Sequence, residues 1–241
     1  MSTSQHENTQ RTETPAAWPT PYVIAIDGPA GAGKSSVSER VAEGLGFFRL
    51  DTGLLYRGIA LGAMRAEVSA EEGPTLDQFL KSFTVDLSDT QGLILGDTPS
   101  QSEVLRTPEV SRGASDYARL PAVRAKLLDV QRSIATRAPC VVDGRDIGTV
   151  VFPDAPLKIY LTASATERAR RRLIDLKRQG IETTLEEVRE GIVARDLQDS
   201  QREIAPLKQA EDAQLVDATE LSLEEVITRC LTLARETFPA E

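Results

Sequence analysis

Residues 28–35 read Gly-Pro-Ala-Gly-Ala-Gly-Lys-Ser, a full match to the pattern GxxxxGK[ST]. An apolar run, Val23-Ile24-Ala25-Ile26, leads directly into this segment, and an amphipathic helical pattern leaves it. Strand, glycine-rich turn and helix in that order fix the chain as an α/β protein built to cradle phosphate. The glycines let the backbone curl closely enough to aim several N–H groups at phosphate oxygens. Lys34 adds a cation, and the helix opening after Gly33 adds its positive dipole end. A hydroxyl following the lysine completes a Mg²⁺ shell. Ser35 and Ser36 both qualify for that place, and Ser35 is the candidate ligand. Average residue frequencies give the pattern by chance in about 1% of chains this long, before the flanking strand and helix are counted. The segment reads as a nucleoside triphosphate site.

The rest of the chain supports a parallel sheet. Candidate strands at Tyr22–Asp27, Phe47–Asp51, Cys140–Asp143, Leu157–Leu161 and Leu215–Asp217 alternate with helical patterns near 33–45, 53–67, 119–137, 163–179, 184–199 and 223–236. Several strands are continuous apolar runs, as expected when helices cover both sheet faces. The expectation is a five-stranded parallel sheet flanked by helices, over residues 21–241. Residues 73–112 break the rhythm with alternating runs, Phe83–Leu87 and Gly92–Gly96, and read as a small antiparallel β insert. Residues 1–20 are polar and without period and read as a disordered tail, with Trp18 its one large aromatic.

Composition excludes several functions. With 37 acidic against 28 basic residues and a net charge of -9, the chain is no general binder of nucleic acid or membrane surfaces. It carries neither an apolar run long enough to span a membrane nor a signal-peptide core. The two cysteines, Cys140 and Cys230, fit no metal or redox motif, so a reducing cytoplasm is expected. The single histidine is His6, in the tail, which excludes a histidine base from the folded body. No extra apolar face is evident, so a monomer is expected.

Among phosphate-loop proteins, a GTPase would need an NKxD-type guanine reader, which is missing. A motor-type ATPase needs paired acids after a hydrophobic strand, and Cys140-Val141-Val142-Asp143 offers one. Arginine, by contrast, is plentiful at the places where an α/β sheet collects ligands. Arg145 follows a strand end, and Arg57 follows Asp51-Thr52-Gly53 at another. Arg168, Arg171 and Arg172 cluster at the start of a helix, and Arg195, Asp199 and Arg202 fall at i, i+4 and i+7 on one helical face. Surface ion-pair ladders are the alternative for the last two groups. Guanidinium groups concentrated on the ligand edge of an acidic protein suggest two polyphosphates facing each other, since forked arginines hold phosphate oxygens and spread transition-state charge.

These motifs together resemble the bacterial cytidylate kinases, the CMP/dCMP kinases of the nucleoside monophosphate kinase superfamily. The match is carried by Asp27–Lys34, Leu50–Gly53 with Tyr56-Arg57, Ser115 nine residues before Arg124, Asp143-Gly144-Arg145-Asp146-Ile147-Gly148-Thr149-Val150-Val151-Phe152-Pro153, the Glu167–Arg172 cluster, and Arg195–Ser200 with Arg202 and Ala205–Leu207. The resemblance implies transfer from ATP, with Mg²⁺, to CMP or dCMP. It implies that Gly28, Pro29, Ala30, Gly31, Ala32, Gly33, Lys34, Ser35 and Ser36 hold the donor phosphates. Thr52, Arg57, Ser115, Arg124, Arg145, Asp146, Arg195, Asp199 and Arg202 would line the acceptor pocket. Arg57, Arg145 and Arg202 would clamp the acceptor phosphate; Ser115, Arg124 and Asp146 would read the cytosine edge; Arg195 and Asp199 would hold the sugar. Residues 163–180 would form a lid, with Arg168, Arg171 or Arg172 reaching the transferred phosphoryl, and 73–112 the monophosphate-binding insert. Lys34, Arg145, Arg168, Arg172 and Arg202 are then the catalytic candidates. Thr52 could instead cap the following helix, and Asp143 could either meet Mg²⁺ through water or brace the strand end. Another small-molecule kinase, or a non-catalytic nucleotide-binding module, would leave Ser115, Arg124 and Asp146 without a cytosine to read.

Overall fold

The computed structural model describes residues 22–88, 92–178 and 180–238. The tail and Trp18 lie outside these residues. Five strands, β1 (Val23–Asp27), β2 (Phe48–Asp51), β6 (Cys140–Gly144), β7 (Leu157–Thr162) and β8 (Gln214–Asp217), form one parallel sheet in the order β2-β6-β1-β7-β8. The central strand β1 is buried along its whole length, which explains its unbroken apolar run. Its side chains still alternate between two cores, as the two-residue period of a strand requires. Val23 and Ala25 pack with Leu50, Cys140 and Val142 under helices α2 (Thr52–Arg65), α4 (Pro108–Tyr117) and α5 (Pro121–Ala135). Ile24 and Ile26 pack with Val141, Ile159 and Leu161 against α1 (Lys34–Leu45) and α8 (Leu223–Thr237). Each fully buried Ile or Leu contributes about 1.5–3 kcal/mol.

The insert has the expected antiparallel sheet, β3 (Val85–Ser88), β4 (Gly92–Leu95) and β5 (Thr98–Pro99), in the order β3-β4-β5. It sits on α2 so closely that a Cβ on Gly58 would fall 2.6 Å from Leu95 Cβ. The structure adds two helices that the β reading omitted. α3 (Pro74–Ser82) precedes the strands, and α4 begins inside the 73–112 interval. Both carry a proline at the start, where its missing N–H costs nothing. In α3, Leu76 and Leu80 face the core four residues apart. In α4, the Thr107 hydroxyl caps the Val110 N–H. Helical spacing at Leu76–Leu80 and Val110–Ala114–Tyr117 was the signal available for them.

Two further helices, α6 (Ala165–Arg178) and α7 (Leu185–Ser200), lie together through Ala169, Val188 and Ile192. The reading of Arg195, Asp199 and Arg202 as one helical face needs correction. α7 stops at Ser200, so Arg202 lies beyond it. The chain cannot stay helical into Ala205-Pro206, because the residue before a proline is pushed out of the helical region, and Ala205 sits at φ 50. The Leu207 N–H returns to the Asp199 carbonyl at 2.8 Å, and this turn keeps Arg202 beside the end of α7.

Candidate active site

The carboxyl ends of the sheet strands open into one cleft of about 1180 Å³. On one side stands the glycine loop, pressed so tightly on β7 that a Cβ on Gly28 would fall 1.9 Å from the Leu161 carbonyl oxygen. Gly33 takes φ 95, a conformation only glycine adopts cheaply, and turns the chain into α1. Ala30, Gly31, Ala32, Gly33, Lys34, Ser35 and Ser36 line the cleft, whereas Gly28 and Pro29 sit behind it. The Lys34 ammonium folds back onto the Gly28 and Pro29 carbonyls, at 2.8 Å each. Burial lowers its pKa well below the usual lysine value, and the Arg145 guanidinium pushes the same way. A bound polyphosphate reverses that pressure by giving the ammonium an anionic partner.

On the facing side, Thr52, Arg57, Ser115, Arg124, Arg145, Asp146, Arg195, Asp199 and Arg202 all line the same cleft. Arg145 pairs with Asp199 at 2.8 Å. Burial alone would raise the Asp199 carboxyl, but the charge and hydrogen bond of Arg145 together with the charges of Arg202 and Arg195 outweigh it and hold the group below the usual range. Arg57, Arg195 and Arg202 have pKa values lowered first by burial, Arg195 to about 10 with repulsion from Arg145 adding to it. The Nε atoms of Arg195 and Arg202 are buried without a hydrogen-bond partner. This arrangement is a cluster of cations awaiting an anion. Arg124 and Asp146 form a buried ion pair, the guanidinium lying 5.8 Å from the centre of the Tyr56 ring. Ser115 lies half-buried on α4, its hydroxyl 3.4 Å from the Ser111 carbonyl. The Thr52 hydroxyl donates to the Asp143 carbonyl at 2.8 Å, which ties α2 to the end of β6 rather than capping its own helix.

Two carboxylates brace the floor. Asp27 accepts the N–H groups of Ile147 and Gly148 at 2.8 and 2.7 Å, joining the loop strand to the turn that carries Arg145 and Asp146. Asp143 accepts from the Ser38 hydroxyl at 2.6 Å and stands 3.4 Å from Arg49. Burial raises both carboxyls to about 6. A raised carboxyl binds its proton more tightly in the folded state, so its stabilising effect is complete below the ordinary value of 3.8 and is lost as the pH rises through 6. Asp143→Asn is expected to remove roughly half of the fall in unfolding midpoint that these two groups cause between about pH 4 and 6. An unchanged slope in thermal melts across that window would contradict it.

Arg168 is the one catalytic candidate that does not line the cleft. It is 6% exposed, and its Nε donates to the Ala163 carbonyl at 2.8 Å and its Nη1 to the Ala30 carbonyl at 2.9 Å. From the first turn of α6 it points beneath the loop, while Arg171 and Arg172, nearly one turn further on, face the cleft. Arg172 makes no ion pair among the described residues. Arg106 also lines the cleft and repels Arg57, and sequence reasoning passed over it. Its placement follows from the turn Glu103–Arg106 that leads into α4, so the capped helix start at Thr107-Pro108 was the clue to it.

The oxygen donors suit Mg²⁺, a hard cation that keeps waters and takes one or two protein oxygens. Ser35 offers an exposed hydroxyl at the cleft, with Asp51 and Asp143 lining the same wall.

The sequence profile of the cytidylate kinase family matches residues 24–236. The chain is 46% identical over 216 residues to a cytidylate kinase of Thermosipho melanesiensis, covering 90% of this chain and 98% of that one. It is 43% identical to the cytidylate kinase of Caldicellulosiruptor saccharolyticus, over 87% of this chain and 94% of the other. To that of Desulfitobacterium hafniense it is 46% identical, over 87% and 91%. The profile match over residues 24–236 and identities of 43–46% over nearly the whole length of these relatives establish that the chain belongs to the cytidylate kinase family.

Proposed function

We infer that this chain transfers the γ-phosphoryl group of ATP to CMP or dCMP, giving ADP and CDP or dCDP. The observation that carries this reading is the set of partly buried guanidinium groups, Arg57, Arg145, Arg195 and Arg202, opposite the glycine loop with unpartnered Nε atoms among them. A phosphate dianion supplies the charge and the acceptors they lack.

In this reading the loop N–H groups and Lys34 hold the donor phosphates, and Arg57, Arg145 and Arg202 hold the acceptor phosphate. Arg195 and Asp199 meet the sugar, and Ser115, Arg124 and Asp146 the cytosine. Arg171 and Arg172 reach over the transferred group, with residues 163–180 as a lid and 73–112 as the monophosphate-binding insert. The attacking oxygen already belongs to an ionised phosphate, so no side chain need act as a strong base. Rate comes from in-line alignment, exclusion of water and neutralisation of developing charge. Ser35, with Asp143 behind it, would hold Mg²⁺, which screens the phosphate oxygens when bound.

A single cleft that carries both the glycine loop and the arginine cluster supports action as a monomer. The net charge of -9 supports free nucleotides rather than nucleic acid as partners. The two cysteines, both buried and unpaired, support a cytoplasmic setting. Among the described residues no helix is long and apolar enough to cross a membrane.

The test is ADP formation from ATP and Mg²⁺ with CMP, dCMP, UMP, AMP, GMP or shikimate offered separately. Strong turnover with CMP and dCMP is expected. Preference for another acceptor would overturn the roles of Ser115, Arg124 and Asp146, and silence from folded, ATP-binding protein would leave a non-catalytic module.

A further inference from the structure

The outer shoulder of the glycine loop is gripped by two helices at a single residue. Arg168 of α6 donates from Nη1 to the Ala30 carbonyl at 2.9 Å, and the same nitrogen lies 2.6 Å from Asp196 Oδ2 of α7. Asp196 in turn accepts the Ala30 N–H through Oδ1 at 3.4 Å. Both backbone polar groups of Ala30 therefore end on one ion pair, with one member from each helix. Nε of Arg168 is spent on the Ala163 carbonyl at the end of β7, which leaves the guanidinium little freedom. The next residue is packed as well. A Cβ on Gly31 would lie 3.3 Å from Arg168 Cβ and 3.6 Å from Ile192 Cδ1.

The same two helices carry cleft arginines on other faces, Arg171 and Arg172 on α6 and Arg195 on α7. The loop carries the donor-side N–H groups and Lys34. A rigid link at Ala30 thus fixes the distance between the cations that hold the donor phosphates and those that meet the group in transfer. A shift of about 1 Å between such groups costs as much as 10²-fold in rate.

We propose that Arg168 and Asp196 are paired positioning residues that lock the Ala30–Gly31 shoulder to α6 and α7, touching no substrate themselves. This assignment rests on the phosphoryl-transfer reading of the cleft. It goes beyond that reading by giving work to Asp196, which the pocket residues omit, and by replacing the direct phosphoryl contact first expected of Arg168.

The experiment compares Arg168→Met, Asp196→Asn and the double variant with the wild-type chain. The readings are kcat, KM for CMP, ATP binding by calorimetry without acceptor, and the unfolding midpoint. Each single variant should lower kcat roughly tenfold and weaken ATP binding several-fold, with KM for CMP within about twofold. The double variant should be no worse than the poorer single, because both changes break one unit. A lowered midpoint with unchanged kcat would overturn the proposal, as would effects that multiply, or a raised KM for CMP with ATP binding intact. If Arg168→Met does not fold, Asp196→Asn alone decides, since its amide still accepts the Ala30 N–H while the ion pair is gone. An inactive wild type with CMP would instead defeat the underlying transfer reading, leaving the ATP-binding comparison to judge the shoulder.

Discussion

Lys34→Met is expected to lower kcat by on the order of 10³ with ATP and CMP, while the unfolding midpoint moves by no more than about 4 °C. The two halves of this expectation come from the same burial. Lys34 is 7% exposed, and burial with Arg145 nearby lowers its pKa, so the ammonium is held against a standing electrostatic cost. Methionine keeps the length and packing of the side chain and removes that cost. The buried Gly28 and Pro29 carbonyls lose their donor in exchange, and that loss of about 1–3 kcal/mol offsets the relief. Turnover has no comparable offset, because Lys34 is the one cation of residues 28–36. Steady-state kinetics and calorimetric melts on one preparation check both halves. A loss below about tenfold would mean that Lys34 stays on its two carbonyls and serves only to shape the loop.

Asp146→Asn is expected to cut kcat/KM for CMP by about 10²-fold and to shrink the preference for CMP over UMP by a similar factor. A carboxylate accepts from the exocyclic amine of cytosine and repels the carbonyl that uracil presents there. Asparagine offers an N–H₂ that the uracil carbonyl accepts, so the discrimination is lost from both directions. Asp146 is 5% exposed and holds Arg124 in a buried pair, with the other Nη1 of Arg124 on the Ala118 carbonyl at 3.3 Å. The amide oxygen still accepts from Arg124, so the fold should survive with a lowered midpoint. Competition assays with CMP and UMP provide the measurement. An equal fall for both bases would make Asp146 a brace for Arg124 rather than a reader of the base.

The glycine loop, the five strands and the six helices of the core were legible because each is a local pattern. A continuous apolar run of about five residues, a helical repeat, and a glycine-lysine spacing are complete within a dozen residues. Arg57, Arg145, Arg195 and Asp199 were legible for a related reason, since strand and helix ends of an α/β sheet gather at one edge. Helices α3 and α4 were missed although their proline starts and leucine or valine spacing were present, because the alternating runs between them dominated the interval.

Tertiary structure alone decided which arginines face the cleft. Arg168 and Arg172 share one helix and one composition. The first is drawn inward by a carbonyl 138 residues away in sequence, and the second is left open to the ligand. Arg202 keeps its place beside Asp199 even though the helix that was expected to carry it ends at Ser200. Arg106 enters from the insert, marked locally by nothing but the helix start that follows it. Periodicity states which side of an element is buried, and long-range partners state what lies against it. The sequence by itself determined a phosphate-binding α/β chain with its cations at one edge. Tertiary contacts, from the Leu207–Asp199 turn to the Arg168–Ala30 bond across 138 positions, each worth about 1 kcal/mol and additive only where independent, decided which of those cations line the cleft and which turn away from it.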